Sequence, residues 1–340
     1  MPPIIDTHCH LDLPAFADDI DAVIARATAA GVIGMLVPAI RPATWASCAA
    51  LVERHAKAGM RLGIGVHPQI VPELVEGEIA VIDGERGRGA RADSDGDRGR
   101  DDARADSEGE QPRRTSAFDI DAVAAWIARE AVAYRAIAIG ECGLDGATAD
   151  MPRQEALFRA HIRAARITAL PLVIHVLRAH DLAPRVLREE LEGDRPLRHA
   201  ILSSPRTNEG TDEGDRPLRH AILSSPRTRD RIHGVLHSYS GGPDLVDVYR
   251  GLGMAFSFAG PVSYANARKP VEAARLIPDD LLLAETDAPD QAPEGHRSGR
   301  SEPAFVAAVI TGLAAARGET AEEIAALTTA NARRIFGSWE

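Results

Sequence analysis

Residues 4–12 read IIDTHCHLD. The apolar pair Ile4–Ile5 running into Asp6 predicts a short buried strand that ends directly in ligand-type side chains. In an extended chain, residues two apart face the same way, so His8 and His10 would converge on one ion at the strand's C-terminal end. Asp6 shares that side, placed to orient an imidazole. Two hydrogen-bonded histidines at a strand edge would give the same local pattern. Cys9, between them, points to the opposite side and reads as packing.

The same order, apolar run then polar end, recurs down the chain. Candidate strands are Ile4–Asp6, Ile33–Pro38, Leu62–Val66, Ala136–Ile139, Leu172–Ile174, Ile232–Leu236, Met254–Phe258 and Leu281–Ala284. Helical spacing fills the intervals near 18–30, 43–58, 119–134, 152–169, 181–191, 243–252, 264–276 and 303–317, with a last helix near 320–335. Asp119 suits an N-cap, Pro152 a first turn, and Thr320 with Glu323 a capping box. Eight strands alternating with helices predict an α/β fold of the TIM-type (β/α)8 class. An open doubly wound sheet also alternates strands and helices. The closed barrel is preferred because ligand-type residues sit at several strand ends, where that fold places its chemistry.

Those strand ends supply the candidate site. Glu141 follows a strand in AIAIGECGLD; the glycines beside it would let the backbone pass close to a ligand, and a central carboxylate can bridge two divalent ions. Read alone, it also fits a solvated turn glutamate. Asp145 reads as a structural or pocket-wall group. His175 ends PLVIH and His237 ends IHGVLH; each alone fits a core histidine, and their matching positions argue for a shared centre. Asp287, in LLLAETDAPD, is placed both to bind a metal and to take a proton from water, with Glu285 in support. His67, in GIGVHPQ, divides between a contact to substrate or to a metal ligand and simple structure. Arg178 and His180 would meet phosphate at the barrel mouth, or else form a solvated helix start. Arg297 and Arg300 lie in a Gly-rich loop that would grip phosphate or simply cover the surface.

Composition bounds the partners. With 39 Lys+Arg against 50 Asp+Glu, the net charge of −11 excludes a surface that coats nucleic acid uniformly. Only Lys57 and Lys269 are lysines, and neither ends a central strand, which disfavours a centre bridged by a modified lysine. Three cysteines without disulfide spacing point to a reducing compartment. There is no signal-like start and no run approaching a membrane span, so a cytoplasmic protein with no membrane partner is expected, and no obligate protein partner is inferred. No glycine-rich nucleotide loop occurs.

Two segments interrupt the pattern. Residues 84–116 carry nine acidic and eight arginine side chains with no Val, Ile, Leu, Met or aromatic residue, a composition that predicts a disordered insertion. Between 192 and 228, EGDRPLRHAILSSPRT occurs twice with a 21-residue period, which reads as a tandem duplication in a surface loop. The remaining 270 or so residues suit one barrel domain, so the whole of 1–340 is expected to be one unit.

Taken together, DTHCHLD, GVHP, AIGECGLD, PLVIH, LHSYSGG, FSFAGPVSYANARK, LLAETDAP and NARRIFG closely resemble the TatD family of metal-dependent deoxyribonucleases, a branch of the amidohydrolase-like barrels. The resemblance covers the chain apart from the two insertions. It implies a TIM-type barrel with two divalent ions that hydrolyses phosphodiester bonds, removing nucleotides from the 3′ end of DNA. It further implies that His8 and His10 hold one ion with Asp287, that Glu141 bridges, and that His175 and His237 hold the second. Mg²⁺ or Mn²⁺ suits a phosphate substrate, and the imidazoles also suit Zn²⁺. Departures lie at Cys142, at Gly146 and Ala147 where the family has an aromatic pair, at Asp290 and at Ser301; they leave the ligand set intact and alter substrate packing. The runner-up readings are a metal-dependent hydrolase of a small ester, lactone, cyclic amide or phosphoester, and a non-catalytic nucleic-acid-binding or scaffold barrel.

Overall fold

The structure is a computed structural model that describes residues 2–74, 78, 119–192 and 233–339. Eight parallel strands run in sequence order: β1 (Ile4–Asp6), β2 (Val32–Ala39), β3 (Met60–Ile64), β4 (Ala138–Asp145), β5 (Leu172–Leu177), β6 (Gly234–Leu236), β7 (Met254–Phe258) and β8 (Leu282–Ala284). Nearly every strand residue is buried, as expected of a sheet covered on both faces. The ring closes between β8 and β1: Thr7 N–H donates to Ala284 O at 3.2 Å, Asp287 N–H to His8 O at 2.9 Å, and His10 N–H to Ala288 O at 2.7 Å. That closure excludes the open sheet.

Around the strands lie α1 (Ile20–Ala29), α2 (Trp45–Arg54), α3 (Ile120–Ala133), α4 (Met151–Thr168), α5 (Ala183–Glu192), α6 (Val246–Gly251), α7 (Lys269–Leu276), α8 (Val306–Arg317) and α9 (Ala321–Phe336). Asp119 caps α3 through Ala122 N–H, and Thr320 with Glu323 forms the capping box of α9. The helix expected from 264 begins only at Lys269, because Gly260–Ser263 forms a 3₁₀ turn and Pro270 suits a first turn. Among the described residues no single helix is long and apolar enough to cross a membrane. Both expected insertions, 84–116 and 192–228 beyond residue 192, lie outside the described residues.

Strand alternation builds the barrel interior. Ile5, Leu36, Ala138, Val173, Val235, Ala255 and Leu283 pack into one cluster with Phe336 and Trp339 from the C-terminal segment. Gly34 sits where a Cβ would fall 2.6 Å from the Trp339 ring, so the indole plugs the N-terminal end of the barrel. Period-two spacing then carries Val173 to His175, Val235 to His237 and Leu283 to Glu285, toward the opposite, C-terminal mouth. A larger core between strands and helices contains His161 of α4. Its Nε2 accepts Val66 N–H at 3.0 Å and its Nδ1 lies 2.7 Å from Leu157 O. Burial lowers its pKa to about 4, the state of a neutral structural histidine.

The loop after β8 is fastened from outside. Arg26 grips Glu302 with both carboxylate oxygens, and Arg300 bonds both oxygens of Asp19 at 2.7 and 2.8 Å while lying over the Phe16 ring. Arg300 thus fastens the loop, in line with the surface-covering alternative of the two expected for it.

Candidate metal centre

Glu141 occupies a bulge in β4. Gly140 pairs with Val173 and Cys142 with Ile174, leaving Glu141 as the extra residue, and bulges re-aim side chains in this way. The expected strand stopped at Ile139, whereas pairing with β5 continues to Asp145. The flanking glycines serve that pairing: a Cβ on Gly140 would meet Val173 O at 2.3 Å, and one on Gly143 would meet His175 O at 2.0 Å, both at positive φ.

Each oxygen of this buried carboxylate faces a different group of side chains. Oε2 lies 3.2 Å from His8 Nε2 and 3.4 Å from His10 Nε2, and Asp287 Oδ1 is 3.7 and 3.8 Å from the same two nitrogens. Oε1 lies 2.6 Å from His237 Nε2, 3.1 Å from His175 Nδ1 and 2.8 Å from His67 Nε2. All six residues expected to hold metal thus meet at one mouth.

The surroundings fix how these rings point. Gln69 N–H donates to His67 Nδ1 at 3.1 Å. A backbone amide can only donate, so in the neutral ring Nδ1 carries the lone pair and Nε2–H donates to Glu141. His67 is thus held against Glu141. His175 turns Nε2 toward Asp145 Oδ2 at 3.4 Å, and Asp145 is itself held by Gln69 Nε2–H at 2.8 Å and Ala147 N–H at 2.8 Å. Asp6 does not reach an imidazole: it accepts the backbone N–H of His8 and Thr286 and pairs with the Thr286 hydroxyl, because the chain bends after β1. Cys9 is buried against Leu36 O, away from the centre.

Several parts of the site carried no sequence signal. Gln154 accepts Asp145 N–H at 2.8 Å, and Gln291 donates to Asp287 Oδ2 and pairs with the Ser238 hydroxyl. Glutamines lack a spacing signature, so only closure of the barrel reveals them. Arg178 is exposed at the end of β5 and makes no ion pair among the described residues. His180 bonds the Tyr249 hydroxyl through Nδ1 at 3.0 Å and lies 3.3 Å from the Ser240 hydroxyl. Arg297 is half-exposed, 4.4 Å above the Tyr264 ring and 3.8 Å from Glu294. None of the three hydrogen-bonds to the histidine cluster among the described residues, although burial lowers the pKa of His180 and His175 lies close enough to help lower it.

The donor set fits divalent ions. His8 Nε2 and His10 Nε2 approach to 3.1 Å, and His175 Nδ1 and His237 Nε2 to 3.2 Å. Two imidazoles sharing a tetrahedral ion at about 2.05 Å would have nitrogens about 3.3 Å apart. Glu141 Oε2 is buried without a hydrogen-bond partner, and His8, His10 and Asp287 offer ligand atoms within 4.8 Å of one another.

Protonation follows from the same packing. Burial would lift the Glu141 carboxyl, but His237, His67, His8 and His10 hold it well below the usual carboxylate range. Burial opposes a charge on His10, yet Glu141 and Asp287 raise its pKa to about 9. Burial together with His237 lowers His8. A metal binding at His10 must therefore displace a proton at neutral pH. Metal affinity is expected to rise with pH up to about 9, with proton release measurable by calorimetry in buffers of different ionisation enthalpy. Stability of the metal-free protein runs the other way. The contribution of His10 is complete below its ordinary value of 6.5 and is lost as pH passes about 9, which melting curves in chelator would record.

A family profile described as TatD related DNase matches residues 5–215 and 216–337. The chain is 25% identical over 335 residues to "Uncharacterized metal-dependent hydrolase YabD" of Bacillus subtilis (strain 168), covering 98% of each. It is 29% identical over 345 residues to "3'-5' ssDNA/RNA exonuclease TatD" of Enterobacter lignolyticus (strain SCF1), covering 98% of this chain and 99% of that one. Among solved structures, the YjjV TatD homologue of Escherichia coli K12 superposes with a TM-score of 0.68 at 23% identity over 98% of both chains, a likeness of fold.

Proposed function

This chain belongs to the TatD-related DNase family and is a metal-dependent hydrolase, and from that premise we propose that it cleaves phosphodiester bonds of DNA, shortening single-stranded or frayed substrates from the 3′ end. The observation that carries the reading is Glu141, whose two oxygens face two separate donor groups, as a bridging ligand requires. His8, His10 and Asp287 would hold one ion, and His175 and His237 the other. Mg²⁺ or Mn²⁺ suits the substrate, and Zn²⁺ suits the nitrogen ligands. When bound, such a pair supplies Lewis acidity toward water and the phosphoryl group.

The chain's own residues do the rest. Asp287, its Oδ2 held by Gln291, takes the proton of the attacking water. His67 donates to Glu141 and keeps its carboxylate in place, the ligand-supporting alternative that its position in the sequence offered beside a substrate contact. Arg178 and Arg297 present exposed guanidinium groups to the strand, and His180 supports the pocket wall through Tyr249 and Ser240. A net charge of −11 weakens non-specific duplex binding and favours ends that enter the pocket. A cytoplasmic setting belongs to the same proposal, supported by three buried free thiols.

A matrix of metals against 5′-labelled oligonucleotides tests the reading. The expected result is metal-dependent laddering of single strands from the 3′ end, with blunt duplex resistant. Equal cleavage of blunt duplex would remove the strand preference. Turnover of lactones or small esters with DNA untouched would favour the small-molecule hydrolase, and DNA binding without turnover the scaffold.

A further inference from the structure

Behind the centre lies a carboxylate that the mechanism above does not use. Glu285 is fully buried one residue past β8, and its N–H donates to Phe258 O at 3.0 Å, which pins it between β7 and β8. Its Oε1 accepts Ser238 N–H at 2.5 Å and lies 3.4 Å from His237 Nδ1. That nitrogen and Glu285 Oε2 are both buried without a hydrogen-bond partner. The opposite nitrogen of the same ring, Nε2, faces Glu141 at 2.6 Å. The His237 ring also stacks on His8, with centroids 4.0 Å apart and planes 13° apart, so its tilt sets the tilt of His8.

A neutral imidazole has one N–H and one lone pair, and a buried N–H requires an acceptor. From this arrangement we propose that Glu285 is a positioning residue for the metal centre: it accepts Nδ1–H of His237, so that Nε2, which faces Glu141 at 2.6 Å, is the nitrogen that gives up its proton and turns its lone pair to the second ion. This rests on the reading of the cluster as a metal centre and deepens it. Glu285 contacts His237 and the Ser238 amide while Asp287, two residues on, faces His8 and His10, so neighbouring carboxylates have separate tasks. A rival arrangement makes Glu285 itself a ligand, since it offers an oxygen within 4.8 Å of His8 and His237 nitrogens.

The test is Co²⁺ titration of wild type, Glu285→Gln and Glu285→Asp, following affinity, visible spectrum and ions per chain, with circular dichroism as the check on folding. Losing such an orienting carboxylate weakens metal binding by roughly 10–100-fold. The proposal expects Glu285→Gln to show that loss at unchanged stoichiometry, with Glu285→Asp recovering part of it. Loss of one ion per chain would overturn the proposal in favour of Glu285 as a ligand. Unchanged affinity with a lowered Tm would overturn it in favour of a purely structural role. Should Glu285→Gln fail to fold, ¹⁵N-histidine spectra of Zn²⁺-loaded wild type decide: the proposal requires His237 protonated at Nδ1, and an Nε2–H tautomer overturns it. Wild type that takes up no metal at all would defeat the metal-centre reading itself, an outcome distinct from each of these.

Discussion

Glu141→Gln is expected to lower metal-dependent turnover by roughly 10³-fold or more, about 4 kcal/mol of lost transition-state stabilisation. The amide keeps the shape but loses the charge, and its nitrogen can only donate toward a site built from donors to a carboxylate. With Oε1 and Oε2 each facing a different donor group, one substitution strikes both halves of the centre. The metal-free protein suffers too. Against the burial of both rings, Glu141 raises the pKa of His10 and of His237 in the metal-free protein, and leaving such buried charges unpaired costs on the order of 3–5 kcal/mol. Rate assays, bound-metal analysis and thermal melts of the same preparation would therefore all change. A variant that loses stability while keeping full metal content and rate would show Glu141 to be a packing group only.

Asp287→Asn is the second large effect, with a different signature. His8 and His10, together with Glu141, remain to hold an ion, so metal content is expected to survive in weakened form. Loss of the proton acceptor is expected to cut kcat by roughly 10²–10⁴-fold, with a smaller change in KM. Asp287 adopts positive φ and is buttressed by Gln291, which is itself bonded to Ser238, so Gln291→Ala should reproduce part of the loss without touching a ligand. Equal kcat in wild type and Asp287→Asn would assign proton transfer elsewhere.

How much of this is legible in the sequence depends on how local each feature is. Strand-end positions such as His175 and His237 announce themselves because a buried apolar run must change character where it leaves the barrel. His8 and His10 were readable for the same reason, although Ile5 and Thr7 continue the inward series and the chain bends before His8. Glu141 was readable as a residue but not as a bulge: the two glycines that admit β5 look in sequence like the end of a strand. Contacts between the ends of different strands left no trace. Asp6 with Thr286, Glu285 with Ser238, and Gln69 with Asp145 join positions 47 to 280 residues apart, and no periodicity encodes them. Arg300 shows the reverse case, a surface-looking arginine whose partner Asp19 lies at the other end of the chain.

Anomalous scattering from crystals of the protein loaded with Mn²⁺ tests the centre most directly. Two ordered peaks are expected about 3.5–4 Å apart, one among His8, His10, Asp287 and Glu141 and the other among Glu141, His175 and His237. A well-ordered barrel mouth with no peak at saturating Mn²⁺, or ions bound only elsewhere on the protein, would contradict the account.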